Sequence, residues 1–350
     1  MSRDLVPITV LTGFLGSGKT TILNALLRHP AAATALVIVN EFGDIAIDHD
    51  LIESVSENTI VLQSGCVCCT VRNDLVETLR EAFGKRARGD IARFDRVLVE
   101  TTGLADPAPI LQTLMTDPAM TTRFCLDGVI STIDAVAGEA TLDRYFEAVR
   151  QAAFADRVIL TKSDLADEQR CQALERRLRA LNPAAPIIRA AKGVVDPADI
   201  FDIGLYNHAT RSLDIQRWLE ADTFAKPAPG HRRGDSAETQ GGGRASRHDD
   251  EIHAVSVYID APIPGEALDL WLQGLLRVKG PNLLRFKAII NVAELSGPIV
   301  AQGVQHVIYP PVALPAWPGA DRRTRMVFIT HGIDEAAIRD SLKAFAIAAA

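Results

Sequence analysis

The sequence has no apolar run approaching the roughly 20 residues a bilayer-spanning helix needs, which sets aside a membrane-embedded chain. Its opening, MSRDLVPITV, lacks the long apolar core of a signal peptide and leads directly into strand-like sequence, so a cytoplasmic protein is expected. No basic block offsets the net charge of −7, which argues against a nucleic-acid partner. Cysteine is scarce at five residues, three of them within four positions. That is no disulfide framework; reduced thiols in a reducing compartment fit better. No repeat at a solenoid period is present. What remains, 350 residues with 47% hydrophobic and 23% charged, is ordinary globular composition and long enough for two domains.

Residues 13–20 read GFLGSGKT, between the β-branched stretch PITVLT and the helical pattern TTILNALLRH. The spacing G-x-x-x-x-G-K-T is that of a phosphate-binding loop. Gly13, Gly16 and Gly18, with Ser17 between the last two, let the backbone turn tightly and aim N–H groups at phosphate oxygens. Lys19 is then in reach of the β- and γ-phosphates, and the Thr20 hydroxyl of Mg²⁺. The helix opening at Thr20 and Thr21 adds the positive end of its dipole. A nucleoside triphosphate is the expected ligand.

Three later strand ends fit that site. ALVIV (35–39) runs into Asn40-Glu41-Phe42-Gly43-Asp44, where Glu41 and Asp44 face either a metal or solvent. RVLVE (96–100) leads into Thr101-Thr102-Gly103. Glu100 has the Walker B position for Mg²⁺, and the Gly103 N–H is set to sense a γ-phosphate. DRVILTKSD ends in Thr161-Lys162-Ser163-Asp164. Asp164 can accept the N1 and N2 protons of guanine while Lys162 lies along the base; adenine lacks that donor pair, so GTP is favoured over ATP. Ala190 to Lys192 are expected to line the guanine pocket.

Cys66-Val67-Cys68-Cys69 follows the strand-like TIVLQSG and precedes TVRNDLVETLREAF, an amphipathic helix pattern with Thr70 as its N-cap. A helix N-terminus lowers thiol pKa, and thiolates suit Zn²⁺, Co²⁺ or Cu⁺. One cluster without a second cysteine pair leaves a coordination position open, which fits exchanging a metal rather than keeping one. The rival readings are a redox pair and chance packing. Cys125 and Cys171 read as ordinary buried cysteines.

Residues 225–250, rich in Gly, Pro and Ser, have almost nothing apolar and form a flexible linker. Its His231 and His248, with His208 and His253 flanking, are either incidental or a loose metal-collecting segment. After it, IHAVSVYI, LLRFKAIINV, PIVAQGVQHVIY and TRMVFIT read as strands, and PGEALDLWLQGLL and DEAAIRDSLKAFAIAA as helices. The expected architecture is therefore α/β. A P-loop domain with a mostly parallel sheet spans 1–219, a linker 220–250, and a smaller α+β domain with helices on one face of an antiparallel sheet 251–350.

GFLGSGKTT, NEFGD, GCVCCTVRNDL and ETTGLADP resemble the CobW family of metal-handling P-loop GTPases, kin of the urease and hydrogenase maturation GTPases. The resemblance continues through FADRVILTKSDL, LLRFKAII, QGVQH and RRTRMVFI, so it covers nearly all of the chain apart from the linker. It implies a GTPase whose Cys66, Cys68 and Cys69 bind a transition metal for delivery to a client metalloenzyme or its apo-protein, with Glu41 as an extra metal or Mg²⁺ contact. Zn²⁺ or Co²⁺ is favoured, and Ni²⁺ and Fe²⁺ also accept thiolate. Thr161 departs from the family's Asn, and the linker is poorer in histidine than in many members. The position after Gly103 is Leu104 rather than Gln, so slow intrinsic turnover is expected. A P-loop ATPase or kinase, and a redox-sensing GTPase switch, are the alternatives. The client and the oligomeric state are left open.

Overall fold

The computed structural model describes residues 5–42, 59–64, 69–203, 252–309, 311–317 and 319–348. Seven strands, β1 (Val6–Gly13), β2 (Ala35–Phe42), β3 (Thr59–Ser64), β4 (Arg96–Glu100), β5 (Phe124–Asp134), β6 (Arg157–Thr161) and β7 (Ile187–Arg189), form one sheet in the order β3-β2-β4-β1-β5-β6-β7. Every pairing in it is parallel. Helices α1 (Lys19–Leu27), α2 (Cys69–Arg88), α3 (Ala108–Thr116), α4 (Pro118–Thr121), α5 (Gly138–Arg144), α6 (Phe146–Phe154) and α7 (Glu168–Leu181) accompany the strands.

Period-2 alternation sorts the strand side chains into two apolar layers. Leu11, Val37, Val39, Leu98, Ile130 and Ile159 pack with Ile22, Leu23 and Leu26 of α1. Val10, Leu36, Ile38, Val97, Val99 and Val129 pack on the other face with Leu79 of α2, Leu111 of α3, Val149 of α6 and Leu174 of α7. Strands apolar on both faces need helices on both, which is the arrangement parallel crossovers supply.

Two local expectations are corrected. Helix α2 already begins at Cys69, so Thr70 lies in its first turn and is not its N-cap. PIVAQGVQHVIY is not one strand but a hairpin of β10 (Ile299–Val304) and β11 (Val307–Ile308), because Gln305 takes a left-handed φ of 52° and reverses the chain. Gly43–Asp50, Cys66, Cys68, His208, His231, His248 and the linker expected over 220–250 lie outside the described residues. His253, which flanks that linker, is taken up by the fold: its Nε2 lies 2.8 Å from the Ile333 carbonyl.

The second sheet is antiparallel, in the order β11-β10-β9-β13-β8, with β8 (Ile252–Ile259), β9 (Leu283–Ile290), β13 (Thr324–His331) and, beside β10, β12 (Val312–Ala313). Helices α8 (Gly265–Lys279) and α9 (Glu335–Ala348) cover one face, where Trp271, Leu272, Ile338 and Leu342 meet Val255, Phe286, Met326 and Phe328. From the other face Leu284, Val304, Tyr309 and Ile329 join the core of the parallel-sheet domain. Among the described residues no helix is long and apolar enough to cross a membrane.

A buried ion cluster ties the two sheets. Asp156, just before β6, accepts a hydrogen bond from the Val129 N–H at 3.0 Å. It also pairs with Arg285 and, at 3.0 Å, with Lys287, both on β9. Arg285 donates in addition to Gln302 at 3.3 Å. Burial alone would raise the Asp156 pKa; the charges of Arg285 and Lys287, with hydrogen bonds from Lys287 and Val129, outweigh it and hold the carboxyl at about 2. Since this lies below the unfolded value of about 4, the carboxylate stabilises the fold above that pH and loses its contribution as pH falls towards 2. Asp156→Ala, which strands a buried guanidinium, should cost about 3 kcal/mol at pH 7. Urea unfolding of both proteins should show that gap shrinking at pH 2.5. A gap equal at the two pH values would refute the ion-pair account.

Candidate functional site

The sheet's carboxyl edge collects the sequence motifs, because parallel strands all end on one side. Leu11 of β1 stands opposite Glu100 of β4, and Gly13 opposite Thr132 of β5. A Cβ on Gly13 would fall 2.2 Å from the Thr132 hydroxyl and 2.6 Å from its carbonyl, so only glycine lets the loop leave the strand there. Gly16 (φ 71°) and Gly18 (φ 93°) take the left-handed conformations that turn the loop into α1. Gly18 gives α1 no side-chain cap, which leaves the first-turn N–H groups for an anion.

The side chains around this loop hold it in shape. The Ser17 and Thr132 hydroxyls lie 2.6 Å apart. Lys19 donates to the carbonyls of Gly13 and Phe14 at 2.9 and 3.3 Å, so its ammonium lies inside the loop's curve. Thr20 donates to Glu100 Oε1 at 3.2 Å, and Glu100 is buried. The two groups expected to serve Mg²⁺ therefore meet. The glycine cradle and this hydroxyl–carboxylate pair fit a magnesium-bound triphosphate. After Glu100, Thr101 returns an N–H bond to Leu11 O at 2.9 Å. A Cβ on Gly103 would fall 2.6–2.8 Å from Leu15, so the E-x-x-G loop packs directly on the phosphate loop.

The base-side segment leans on the same loop. Thr161 donates to the Ser17 carbonyl at 2.6 Å and to Ile133 O at 3.2 Å. Lys162, at a left-handed φ of 55°, donates to Gly16 O at 2.9 Å and pairs with Asp134 at 2.6 Å. Asp164 is exposed and accepts the Lys192 N–H at 3.1 Å. Ser163 donates to Ala190 O at 3.1 Å, and Gly193 crowds Thr21. The 190–193 loop thus lies beside Asp164.

Glu41 is the penultimate residue of β2, and its neighbour Phe42 pairs with Ser64 at the end of β3. The chain therefore departs towards Cys66 from the strand beside Glu41. Cys69 opens α2. Among the described residues no three His, Cys, Asp or Glu side chains converge on a metal position. Cys125 and Cys171 are buried free thiols, and burial raises both pKa values, to about 12 at Cys125, with Asp127 adding to that shift. Neither favours a thiolate.

Three residues of the site were given no role by sequence reasoning. Asp134, the partner of Lys162, carried a readable signal: an acidic residue at the end of an apolar strand, as at Glu100. Gln151 donates to the carbonyls of Gly103 and Ala105 at 3.2 and 3.0 Å. Its signal was a carboxamide among the apolar positions of FEAVRQAAF. Thr132 gave none.

The profile for CobW/HypB/UreG, nucleotide-binding domain, matches residues 7–189, and that for the cobalamin synthesis protein cobW C-terminal domain matches residues 252–346. The chain is 30% identical over 334 residues to the zinc chaperone YjiA of Escherichia coli K12, covering 95% of this chain and 96% of that one. It is 34% identical over 225 residues to zinc-regulated GTPase metalloprotein activator 1 of Schizosaccharomyces pombe, covering 61% of this chain and 54% of that one. The crystal structure of Zn(II)-bound YjiA GTPase from E. coli superposes with a TM-score of 0.69 at 26% identity, covering 97% of this chain and 99% of that one. With both domains matched in order over the fold described above, the chain belongs to the CobW family.

Proposed function

We propose that this protein is a GTPase that carries a transition metal, zinc first among them, and hands it to a client metalloenzyme or its apo-protein. The observation that carries the nucleotide half is the docking of the Thr161–Asp164 segment onto the phosphate loop through Ser17 O and Gly16 O, with Asp164 exposed beside it. One rigid unit then reads phosphate and base together. Gly13, Gly16, Ser17, Gly18, Lys19, Thr20 and Thr21 hold the phosphates, and Lys162 and Asp164 the guanine. Thr20 and Glu100 would hold Mg²⁺, which supplies charge neutralisation on the β- and γ-phosphate oxygens. Gly103 senses the γ-phosphate. Leu104 is exposed and offers no polar group to orient water, so unaided turnover is slow.

The metal half rests on the relatives, a zinc chaperone and a zinc-regulated GTPase activator, and on the thiolate chemistry of Cys66, Cys68 and Cys69, which follow β3 in the chain, the strand whose Gln63 stands opposite Glu41 of β2. Zinc is the cargo by that likeness; Co²⁺, Ni²⁺ and Fe²⁺ are accepted by the same ligand type. The three thiols need a compartment that keeps them reduced, which supports a cytoplasmic location.

Asp164→Ala should weaken GTP at least tenfold while leaving ATP unchanged, because only guanine donates to that carboxylate. Competition binding measures both, and an ATP preference in the unaltered chain would promote the ATPase reading. Co²⁺ titration followed by thiolate-to-metal absorption should show Mg²⁺–GTP tightening the metal about tenfold, about 1.4 kcal/mol of coupling. Cys66→Ser, Cys68→Ser and Cys69→Ser should each abolish that signal. Equal binding without nucleotide would sink the coupling, and cysteine-independent binding the site.

A further inference from the structure

The loop after Glu100 is held from one side by Leu15 of the phosphate loop and from the other by α6. Gln151 is fully buried on α6, and both hydrogens of its carboxamide nitrogen are spent on the loop, at Gly103 O and Ala105 O. Two carbonyl partners fix which end of the carboxamide is nitrogen. Its Oε1 is buried without a hydrogen-bond partner among the described residues. A methionine would fill similar space without that desolvation cost, so packing alone does not account for a carboxamide here. The neighbouring Arg150 pairs with Asp106 at 3.0 Å, and Asp106 in turn accepts the Ala108 N–H that opens α3.

The same two helices touch the C-terminal sheet. Phe146 at the start of α6 lies against His331 of β13, with ring centroids 5.4 Å apart. Two residues past its end, Asp156 pairs with Arg285 and Lys287 of β9. Gln112 of α3 donates to Gln305 in the β10–β11 turn. The loop that meets the phosphate site and the face of the second domain are thus joined by elements one helix long.

We propose that Gln151 is a positioning residue for GTP hydrolysis: it sets the Gly103–Ala105 loop against the phosphate loop and, through α6, reports the state of that loop to the C-terminal domain. It does not touch the nucleotide. A loop held by one buried and one part-buried hydrogen bond has a defined resting position. Any displacement on γ-phosphate binding must stretch those bonds or carry α6 with it. The inference rests on the GTPase reading above and adds a route from the nucleotide to the surface where a client would be felt.

The test uses the full chain with Gln151→Met and Gln151→Glu. For Gln151→Met, assayed well below the melting temperature of both proteins, we expect kcat for GTP to fall at least tenfold, with KM and GDP affinity within twofold. Hydrogen exchange across residues 101–108 should rise. The exchange difference between GTP-analogue and GDP states in β9 and β13 of the unaltered chain should disappear. In Gln151→Glu, activity per folded molecule relative to the unaltered chain should recover as pH falls from 8 to 6, since a protonated carboxyl regains one donor; a space-filling role would give a flat ratio. This second variant decides the matter if the first fails to fold. A Gln151→Met kcat within twofold, a flat pH ratio, or no nucleotide-dependent exchange in β9 and β13 of the unaltered chain would overturn the proposal. Absence of any GTP turnover in the unaltered chain would instead overturn the GTPase reading, and the exchange across 101–108 would still decide whether Gln151 positions the loop.

Discussion

The parallel pairing of β1 with β4, which sets Leu11 opposite Glu100, is the constraint on which the candidate site depends. From that register the phosphate loop and the acidic strand end emerge side by side, and Thr20 reaches Glu100 with no further adjustment. The register is secured by burial. Val10 and Leu11, and Val97 and Leu98, face opposite apolar layers, so a slip of one residue would exchange both sets. The core's patterning is therefore also what aligns the chemistry.

The phosphate loop is held by hydrogen bonds from strands that follow it far along the chain. Ser17 is tied to Thr132, its carbonyl to Thr161, and the Gly16 carbonyl to Lys162. These bonds cross the sheet from β5 and β6, and Lys162 is neutralised by Asp134 on the way. Such cross-bracing fixes the loop before a ligand arrives, which lowers the ordering cost of binding. Thr161, where many family members have Asn, does part of this work with a hydroxyl. Its bonds run to the backbone of Ser17 and Ile133, so the smaller side chain still serves the loop.

Most of the first domain was legible because its signals are local. The strand RVLVE is reproduced residue for residue, and the glycines of GFLGSGKT announce turns that the backbone then makes. The second domain's strands and helices were legible for the same reason, through alternation and helical periodicity. What could not be read were contacts between distant segments. Asp156 looks like any loop acid until β9 brings Arg285 and Lys287 to it. Thr132 is an unremarkable strand threonine until β5 lies beside β1. The Gln305 turn was missed because a glutamine at positive φ is unusual and sits within an otherwise strand-like run.

The topology also limits how a nucleotide could govern the proposed metal site. The cysteine segment follows β3, the edge strand among the described residues, whereas the phosphate loop leaves from β1, with β2 and β4 between them. Three spacings of about 4.8 Å put those strand ends roughly 14 Å apart. Two unit charges at that distance in water interact by about 0.3 kcal/mol, and physiological salt, with a Debye length of about 8 Å, reduces this severalfold. Even doubly charged partners then fall well short of the about 1.4 kcal/mol that a tenfold change in metal affinity requires. Between charges held at those two strand ends, direct electrostatics therefore falls short of the proposed coupling. The strands between β3 and β1 are β2, ending in Glu41 and Phe42, and β4, ending in Glu100, so a mechanical coupling between the two outer strand ends has to cross these two.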